Sequence, residues 1–269
     1  MKLTVLMDNH THINEYYLGE PAACYYLEDG DRRILFDVGY SDAFLQNAAK
    51  MGIDLGTVDT IAFSHGHDDH TRGLQYLKDK IDLQSVKVVA HPLCFQPKQA
   101  EGNDVGAPYN TAEMAKMCEL SLTKEPMKLS DHITFLGEIP RLNDFEKPKL
   151  KSQINIDGNW EDDALIDDTA LVYDSADGLW IITGCSHSGI CNITEYAKQI
   201  FKTERIAGII GGFHLFEVNE QVIKTIDYFE ANKVAQLYPS HCVSFKAKAK
   251  IHERHPIHEV GVGLTMQWD

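Results

Sequence analysis

The sequence predicts a four-layer α/β fold, an αββα sandwich in which two β-sheets pack face to face between outer layers of helices. Each half of the chain begins with a strand-rich stretch and continues with strands that alternate with helices. No Gly/Pro-rich linker or change of composition separates these halves within the 269 residues. We therefore expect a single domain over residues 1–269.

In the first half, hydrophobic periodicity predicts strands over 2–8, 57–64 and 86–91, and a hairpin over 22–39 that turns at Asp29-Gly30. Helices are predicted over 41–52, with Ser41 as N-cap and Gly52 after its end, and over 71–81. Residues 95–131 contain an irregular Gly- and Pro-bearing stretch followed by a short helix over 111–120. Such stretches often cover sites, so we expect a lid-like insert here.

In the second half, a strand and turn are predicted over 131–141 and a polar, irregular stretch over 142–163. A second hairpin follows over 169–184, with its turn at Asp177-Gly178. Helices over 188–203 and 219–232 then alternate with strands over 205–214 and 233–242. The alternating lysines at 246, 248 and 250 are typical of the exposed face of a further strand.

The net charge of −15, from 25 Lys and Arg against 40 Asp and Glu, opposes non-specific binding to nucleic acid or to anionic membranes. No apolar run approaches the roughly 18 residues of a membrane helix, and the N-terminus does not resemble a signal peptide. The six cysteines are scattered and form no CxxC pair. We therefore expect a cytoplasmic protein with reduced thiols. Nothing in these patterns indicates an oligomeric state.

The main chemical signal is Ser-His-Gly-His-Asp-Asp-His at residues 64–70, directly after a predicted buried strand. It offers four metal-binding side chains within six residues: His65, His67, Asp69 and His70. Imidazole and carboxylate ligands suit zinc, with iron, manganese or nickel as alternatives. His65 and His67 would face one ion, while Asp69 and His70 face another about 3.5–4 Å away.

This segment resembles the HxHxDH signature of the metallo-β-lactamase superfamily. Three further segments resemble motifs of that family in the same order, namely residues 36–39 (Phe-Asp-Val-Gly), 182–185 (Ile-Thr-Gly-Cys) and 238–241 (Tyr-Pro-Ser-His). The combination with His-Pro at 91–92, GEIPR at 137–141 and GGFHL at 211–215 is similar to a subgroup of metal-dependent hydrolases. That subgroup is labelled β-lactamase superfamily II and is related to dihydropterin-ribofuranosyl-aminobenzene phosphate synthase.

The resemblance implies the metallo-β-lactamase type of αββα sandwich and one or two divalent transition metal ions. It implies that Asp37 supports the metal-binding loop from behind the ligands and that His241 completes the second metal. Cys185 stands where the family usually has an aspartate that bridges two metals. A thiolate can ligate zinc, but cysteine is also an ordinary buried residue, so both interpretations stay open.

A second departure concerns the third histidine of the first metal, which the family usually places before the strand predicted at 169–175. Glu138 and Arg141 lie near the corresponding segment. We predict that His187, two residues beyond Cys185, replaces the missing ligand. His91 is the main competitor, because it ends a strand that should lie along the same rim.

These residues predict a metal-dependent hydrolase in which a metal-activated water attacks a small anionic ester or phosphodiester. Asp69 would orient the nucleophile. His214 would act as general acid or substrate contact, and His91 and Arg141 would bind the leaving group or a phosphate. The length leaves no room for the flavin domain that usually accompanies di-iron relatives. The net charge of −15 and the absence of a long inserted domain argue against the nucleases of the family. A non-catalytic sensor or assembly protein that keeps the fold remains the alternative.

Overall fold

The computed structural model describes residues 1–148 and 150–268, and it confirms the predicted αββα sandwich. The helices are α1 Ala43–Lys50, α2 Asp68–Thr71, α3 Leu74–Leu77, α4 Thr111–Met117, α5 Ile190–Phe201, α6 Glu220–Ala231 and α7 Phe245–His252. The strands are β1 Lys2–Met7, β2 Cys24–Asp29, β3 Arg32–Phe36, β4 Thr60–Ala62, β5 Lys87–Ala90, β6 Lys98–Ala100, β7 Asn103–Asp104, β8 Glu119–Leu122, β9 Met127–Lys128, β10 Ile133–Phe135, β11 Gln153–Ile156, β12 Asn159–Asp162, β13 Ala170–Ser175, β14 Gly178–Thr183, β15 Ile206–Gly211, β16 Leu237–Pro239 and β17 Thr265–Gln267.

Two large sheets form the middle layers. The first has the strand order β17-β1-β2-β3-β4-β5-β8, and the second has the order β16-β15-β14-β13-β10-β9. Strands β3, β4, β5 and β8 run parallel to one another, as do β14, β15 and β16. Within each parallel group the carboxyl ends therefore meet at one edge, where ligand sites form in sheets of this kind.

Three apolar cores hold the four layers together, and alternation along the strands divides residues among them. Leu35 packs toward the helices outside the first sheet, whereas its neighbours Ile34 and Phe36 pack between the sheets. In β14, Ile181 faces the outer helices of the second sheet and Ile182 faces the first sheet. This period of two buries both faces of each sheet.

A small third sheet of order β12-β11-β6-β7 was not predicted. Residues 153–162 form a hairpin in a stretch that we predicted to be irregular. Ile154 and Ile156 alternate with polar residues and Asp157-Gly158 lies at the turn, so the short pattern was overlooked among its polar neighbours. The hairpin depends on pairing with a distant strand, in which Gln153 lies opposite Gln99 and Ile154 opposite Lys98. Pairing of this kind leaves no local signal in the sequence.

The segment 95–131 is divided between this small sheet and the main body. Strands β6 and β7 lie beside the HGHDDH loop, where the Asp68 N–H donates to the Val105 carbonyl at 3.0 Å. Helix α4 packs through the buried Met114 into the outer core of the first sheet, and β8 and β9 are edge strands of the two large sheets. Strands β6 and β7 thus lie where a lid over the HGHDDH loop would lie. That they cover a bound substrate remains a prediction.

Two other local predictions were wrong. The helix expected over 71–81 is replaced by the short α2 and α3. The strand expected at the alternating lysines is helix α7, because the Ser244 hydroxyl accepts from the Ala247 N–H at 3.1 Å and the i, i+4 pair Ala247 and Ile251 is buried. None of the helices described is long and apolar enough to cross a membrane.

At α1 the N-cap differs from the prediction by one residue. The N-cap position is Asp42, although the Ser41 hydroxyl still accepts from the Ala43 N–H at 3.1 Å. Gly52 has a φ of +71°, as expected for the residue after a helix end.

Candidate metal centre

Loops at the carboxyl ends of strands from both large sheets converge on one point. The HGHDDH loop follows β4, the loop with Cys185 and His187 follows β14, and His241 follows β16. Their ligand atoms form three overlapping groups, each within 4.8 Å, among the described residues. The groups are His65, His67 and Asp69; His65, Cys185 and His187; and Asp69, His70, Cys185 and His241.

Three histidine rings form the first half of the cluster. His65 Nε2 lies 3.0 Å from His67 Nδ1. The ring of His187 lies edge-on to both, with centroids 4.7 Å from His65 and 4.9 Å from His67. The structure therefore brings His187 beside His65 and His67, and its role as the third ligand stays a prediction.

The second half of the cluster surrounds the carboxylate of Asp69. Its Oδ2 atom lies 3.2 Å from His241 Nε2 and 3.5 Å from His70 Nε2. The thiol of Cys185 lies 3.2 Å from His70 Nε2. Cys185 and Asp69 occur in groups on both sides, so the thiol stands between the two halves as a bridging ligand would.

The chemistry of this donor set fits a transition metal. His67 Nε2 and His187 Nε2 are buried and have no hydrogen-bond partner among the described residues, although such atoms are normally satisfied. Burial, with nearby His70, holds the pKa of His65 well below its usual range, and burial lowers that of His67. These rings are thus neutral, which is the form of imidazole that binds metals.

The second half carries charge. Burial alone would lower the pKa of His70, but the carboxylates of Asp69 and Asp37 raise it to about 9. Burial would raise the pKa of Asp69, but His70 and His241 outweigh it and lower that pKa below its usual range. Without a metal, protonated His70 therefore sits between two carboxylates, where a bound cation would supply the positive charge instead.

Asp37 supports this loop from behind. Its Oδ2 accepts from the Ser64 hydroxyl at 2.7 Å and lies 2.7 Å from His70 Nδ1, while Oδ1 accepts from the Ser64 N–H at 2.8 Å. Asp37 is fully buried and has a φ of +60°, just after β3. This carboxylate fixes the orientation of His70 toward the cluster, as buried partners of metal-ligating histidines do.

We expect Asp37→Asn to weaken metal binding about 10- to 100-fold, because the charge that orients His70 is lost while the shape is kept. Competition with a chromogenic chelator would measure the affinity. The exposed Asp174→Asn is the matched control. An unchanged affinity in Asp37→Asn would contradict the supporting role.

Several positioning residues were not predicted as part of the site. Asp8 accepts from the His241 N–H at 3.0 Å, and Asn9 Oδ1 lies 3.0 Å from His241 Nδ1. These two residues leave the first strand toward the site, where the sequence favoured a solvated turn. Asp167 accepts from the Gly66 N–H at 2.9 Å, and Asp168 accepts from the Ser188 N–H at 2.8 Å. Their adjacent carboxylates, just before a buried strand, were the available hint for this pair.

Close backbone approach explains two glycines of the site. A Cβ at Gly66 would lie 2.0 Å from the Cys94 carbonyl oxygen, and one at Gly184 would lie 2.1 Å from Ser64 Oγ. Any side chain at either position would therefore displace a ligand-bearing loop.

The structure does not bring His91, Arg141 or Glu138 into the ligand groups found among the described residues. His91 is buried, its Nε2 lies 3.0 Å from Glu138 Oε2 and its Nδ1 accepts from the Leu93 N–H. Arg141 donates to the carbonyls of His187 at 2.7 Å and Ala164 at 2.9 Å. Arg141 thus positions the His187 loop, although we predicted that it contacts substrate.

A cavity of about 330 Å³ opens onto the cluster, with His67, Asp69, His187 and His214 in its wall. His214 follows β15 with a φ of +50°, and its ring centroid lies 4.3 Å from that of His187. The structure therefore places His214 beside the ligands and in reach of a molecule in the cavity.

The fold and the HGHDDH loop are those of the metallo-β-lactamase superfamily, and the chain belongs to it. Residues 18–103 match the superfamily's family model. Membership in this superfamily, which consists mostly of metal-dependent hydrolases, implies divalent metal binding.

Two relatives come from Methanocaldococcus jannaschii. The uncharacterized protein MJ0448 is 33% identical over 253 residues, covering 93% of this chain and 94% of the relative. A 7,8-dihydropterin-6-methyl-4-(β-D-ribofuranosyl)-aminobenzene-5'-phosphate synthase is 30% identical over 228 residues, covering 81% and 77%. The crystal structure of Tm1679, a metal-dependent hydrolase of the β-lactamase superfamily, matches with a TM-score of 0.86 and 28% identity, covering 100% of this chain and 99% of that one.

Proposed function

We propose that the protein is a metal-dependent hydrolase that cleaves a small anionic ester or phosphodiester. The observation that carries this proposal is the convergence of buried, unpartnered imidazole nitrogens with Asp69 and Cys185 at the wall of a cavity. The net charge of −15 favours a small substrate over nucleic acid or a membrane.

In this proposal two metal ions are bound, and zinc fits the mixed nitrogen, sulfur and oxygen donors best. His65, His67 and His187 would hold the first ion. Asp69, His70 and His241 would hold the second, and Cys185 would serve as a ligand beside them. Iron, manganese and nickel are the alternatives that metal analysis would separate.

When bound, the ions supply a Lewis acid and lower the pKa of coordinated water. Asp69 lies where the ligand groups meet and borders the cavity, so its carboxylate can orient the attacking water. His214 lines the cavity beside His187, where its imidazole can donate a proton to the leaving group. The small sheet excludes bulk solvent from one side of the cavity through Ala100 and Val105.

The direct test is metal analysis of the purified protein together with turnover of bis(p-nitrophenyl) phosphate. We expect metal-dependent release of p-nitrophenol that a chelator abolishes and zinc restores. Bound metal without turnover of this diester or of p-nitrophenyl esters would favour the alternative, a non-catalytic sensor or assembly protein that keeps the fold.

A second candidate is a synthase, and the 30% identity to the named synthase favours it. The name of that relative's product contains a ribose phosphate, so both candidates involve a phosphate-bearing molecule. Release of p-nitrophenol with multiple turnovers would support hydrolysis, because a synthase has no need to transfer the cleaved group to water.

We expect His187→Ala to lose about one metal equivalent per chain, since it removes a ligand from the first ion and leaves two histidines. His91→Ala is the matched comparison, because His91 is also a histidine after a strand but is fully buried and lies against Glu138. Metal content by mass spectrometry and diester turnover would decide. Loss of metal in His91→Ala but not in His187→Ala would make His91 the third ligand of the first ion. Normal metal content in both variants would leave Glu138 as the candidate for that ligand.

A further inference from the structure

The cavity beside the metal centre has a lysine in its wall. Lys151 stands at the start of the hairpin β11–β12 and is exposed, and it lines the same cavity as His67, His187 and His214. A narrow cleft adjoins this cavity on the other side of Leu165, sharing His187 and His214, and Lys147 lines it. Two lysines therefore flank the entrance to the site of a strongly acidic chain.

The carboxylates around these openings already have partners. Asp69 faces His241 at 3.2 Å, Asp68 faces Arg72 at 3.9 Å, Asp163 bonds to Lys98 at 2.7 Å, and Glu146 accepts from the Cys191 and Asn192 N–H groups at 2.9 Å each. Neither Lys147 nor Lys151 makes an ion pair with any residue that the structure describes. The positive charge of both side chains is thus available to a bound molecule.

Arg141, which the sequence predicted as a contact for the leaving group or a phosphate, bonds to the backbone instead. The Arg141 guanidinium donates to two backbone carbonyls, and it lines neither the cavity nor the cleft. The wall of the cavity also contains the apolar residues Ala100, Val105 and Leu165. A molecule that fills the cavity therefore meets positive charge, a hydrocarbon surface and the side chains of the metal centre.

We infer that Lys151, assisted by Lys147 in the adjoining cleft, binds an anionic group of the substrate that lies apart from the reacting centre. This inference deepens the proposed function and rests on it for the identity of the ligand as a substrate. The substrate class is then an amphiphilic phosphate: a charged group on the lysines and an uncharged body against Ala100, Val105 and Leu165. Lysine binds phosphate as a mobile point charge, which suits a group at the rim of a cavity.

The test measures the equilibrium binding of phenyl phosphate to the metal-loaded protein by calorimetry. Phenyl phosphate combines one anionic group with one apolar ring and is not the diester used for turnover. We expect Lys151→Met to weaken binding about three- to tenfold, and Lys147→Met with Lys151→Met to weaken it further. Lys151→Arg should restore most of the affinity, and added salt should narrow the difference between wild type and Lys151→Met.

Lys116→Met is the matched control, because Lys116 is an exposed lysine on α4 that lines neither opening. Equal affinity in wild type and Lys151→Met, an equal loss in Lys116→Met, or no binding by the wild type would overturn the anion site. The outcome is separable from hydrolysis: Lys151-dependent binding without diester turnover would keep this site and remove the hydrolase proposal. Diester turnover without Lys151-dependent binding would keep the hydrolase proposal and remove the anion site.

Discussion

Replacing His65 and His67 together with alanine should remove most of the bound metal and reduce diester hydrolysis to background. In the proposed centre the two rings are ligands of the first ion, and His65 belongs to two of the three ligand groups. A catalytic ion needs about three protein ligands, so one remaining histidine is too few. Metal per chain by mass spectrometry and p-nitrophenol release are the measurements.

The fold should survive this double substitution, because the loop is also held by Asp167 on the Gly66 N–H and by Asp37 on Ser64. An unchanged circular dichroism spectrum would show this. The matched control replaces His252 and His258, both exposed, with alanine and should keep full metal and activity. Full metal stoichiometry in the His65 and His67 double variant would contradict the assignment of the centre.

Lys98→Met should destabilise the protein by about 3–5 kcal/mol, since it leaves two buried carboxylates without their cation. Lys98 is 1% exposed, and its Nζ lies 2.7 Å from Asp163 Oδ2 and 3.1 Å from Asp167 Oδ1. Asp163 and Asp167 are only 2% and 1% exposed. Urea unfolding of the metal-free protein measures the change in the free energy of unfolding.

Two further variants make this result specific. Lys80→Met removes an exposed lysine and should change the free energy of unfolding by no more than about 0.5 kcal/mol. Adding Asp163→Asn to Lys98→Met should cost less than the sum of the two single changes, because the charge left unpaired is itself removed. A loss in Lys98→Met as small as that in Lys80→Met would refute the buried network.

The sequence predicted the two large sheets well where burial alternates along a strand. Strands β2, β3, β13 and β14 carry strong apolar patterns, and Gly30 marks a turn with its φ of +57°. The same reasoning failed for the hairpin β11–β12, whose side chains are largely exposed and whose partner strand is more than fifty residues distant. It also failed at α7, where alternating lysines concealed the buried i, i+4 pair of Ala247 and Ile251.

At the site, the sequence predicted well which side chains come together. It predicted less well what each side chain contacts. The HGHDDH loop was identifiable from its four metal-binding side chains after a buried strand. Cys185, His187 and His241 were identifiable from the resemblance of their segments to the family's motifs. The roles of Arg141 and His91 were not identifiable from the sequence. Only the folded chain shows that Arg141 donates to backbone carbonyls and that His91 lies against Glu138. Lys151 lies in a stretch that we predicted to be irregular, and its place in the cavity wall depends on tertiary structure.

The most direct test of the central claim is a diffraction experiment on crystals grown with zinc, with data collected above and below the zinc absorption edge. Two anomalous peaks are expected, one among His65, His67 and His187 and the other among Asp69, His70 and His241, both adjacent to the Cys185 thiol. A single peak with the His187 ring turned away from it, or peaks only at other places, would contradict the account.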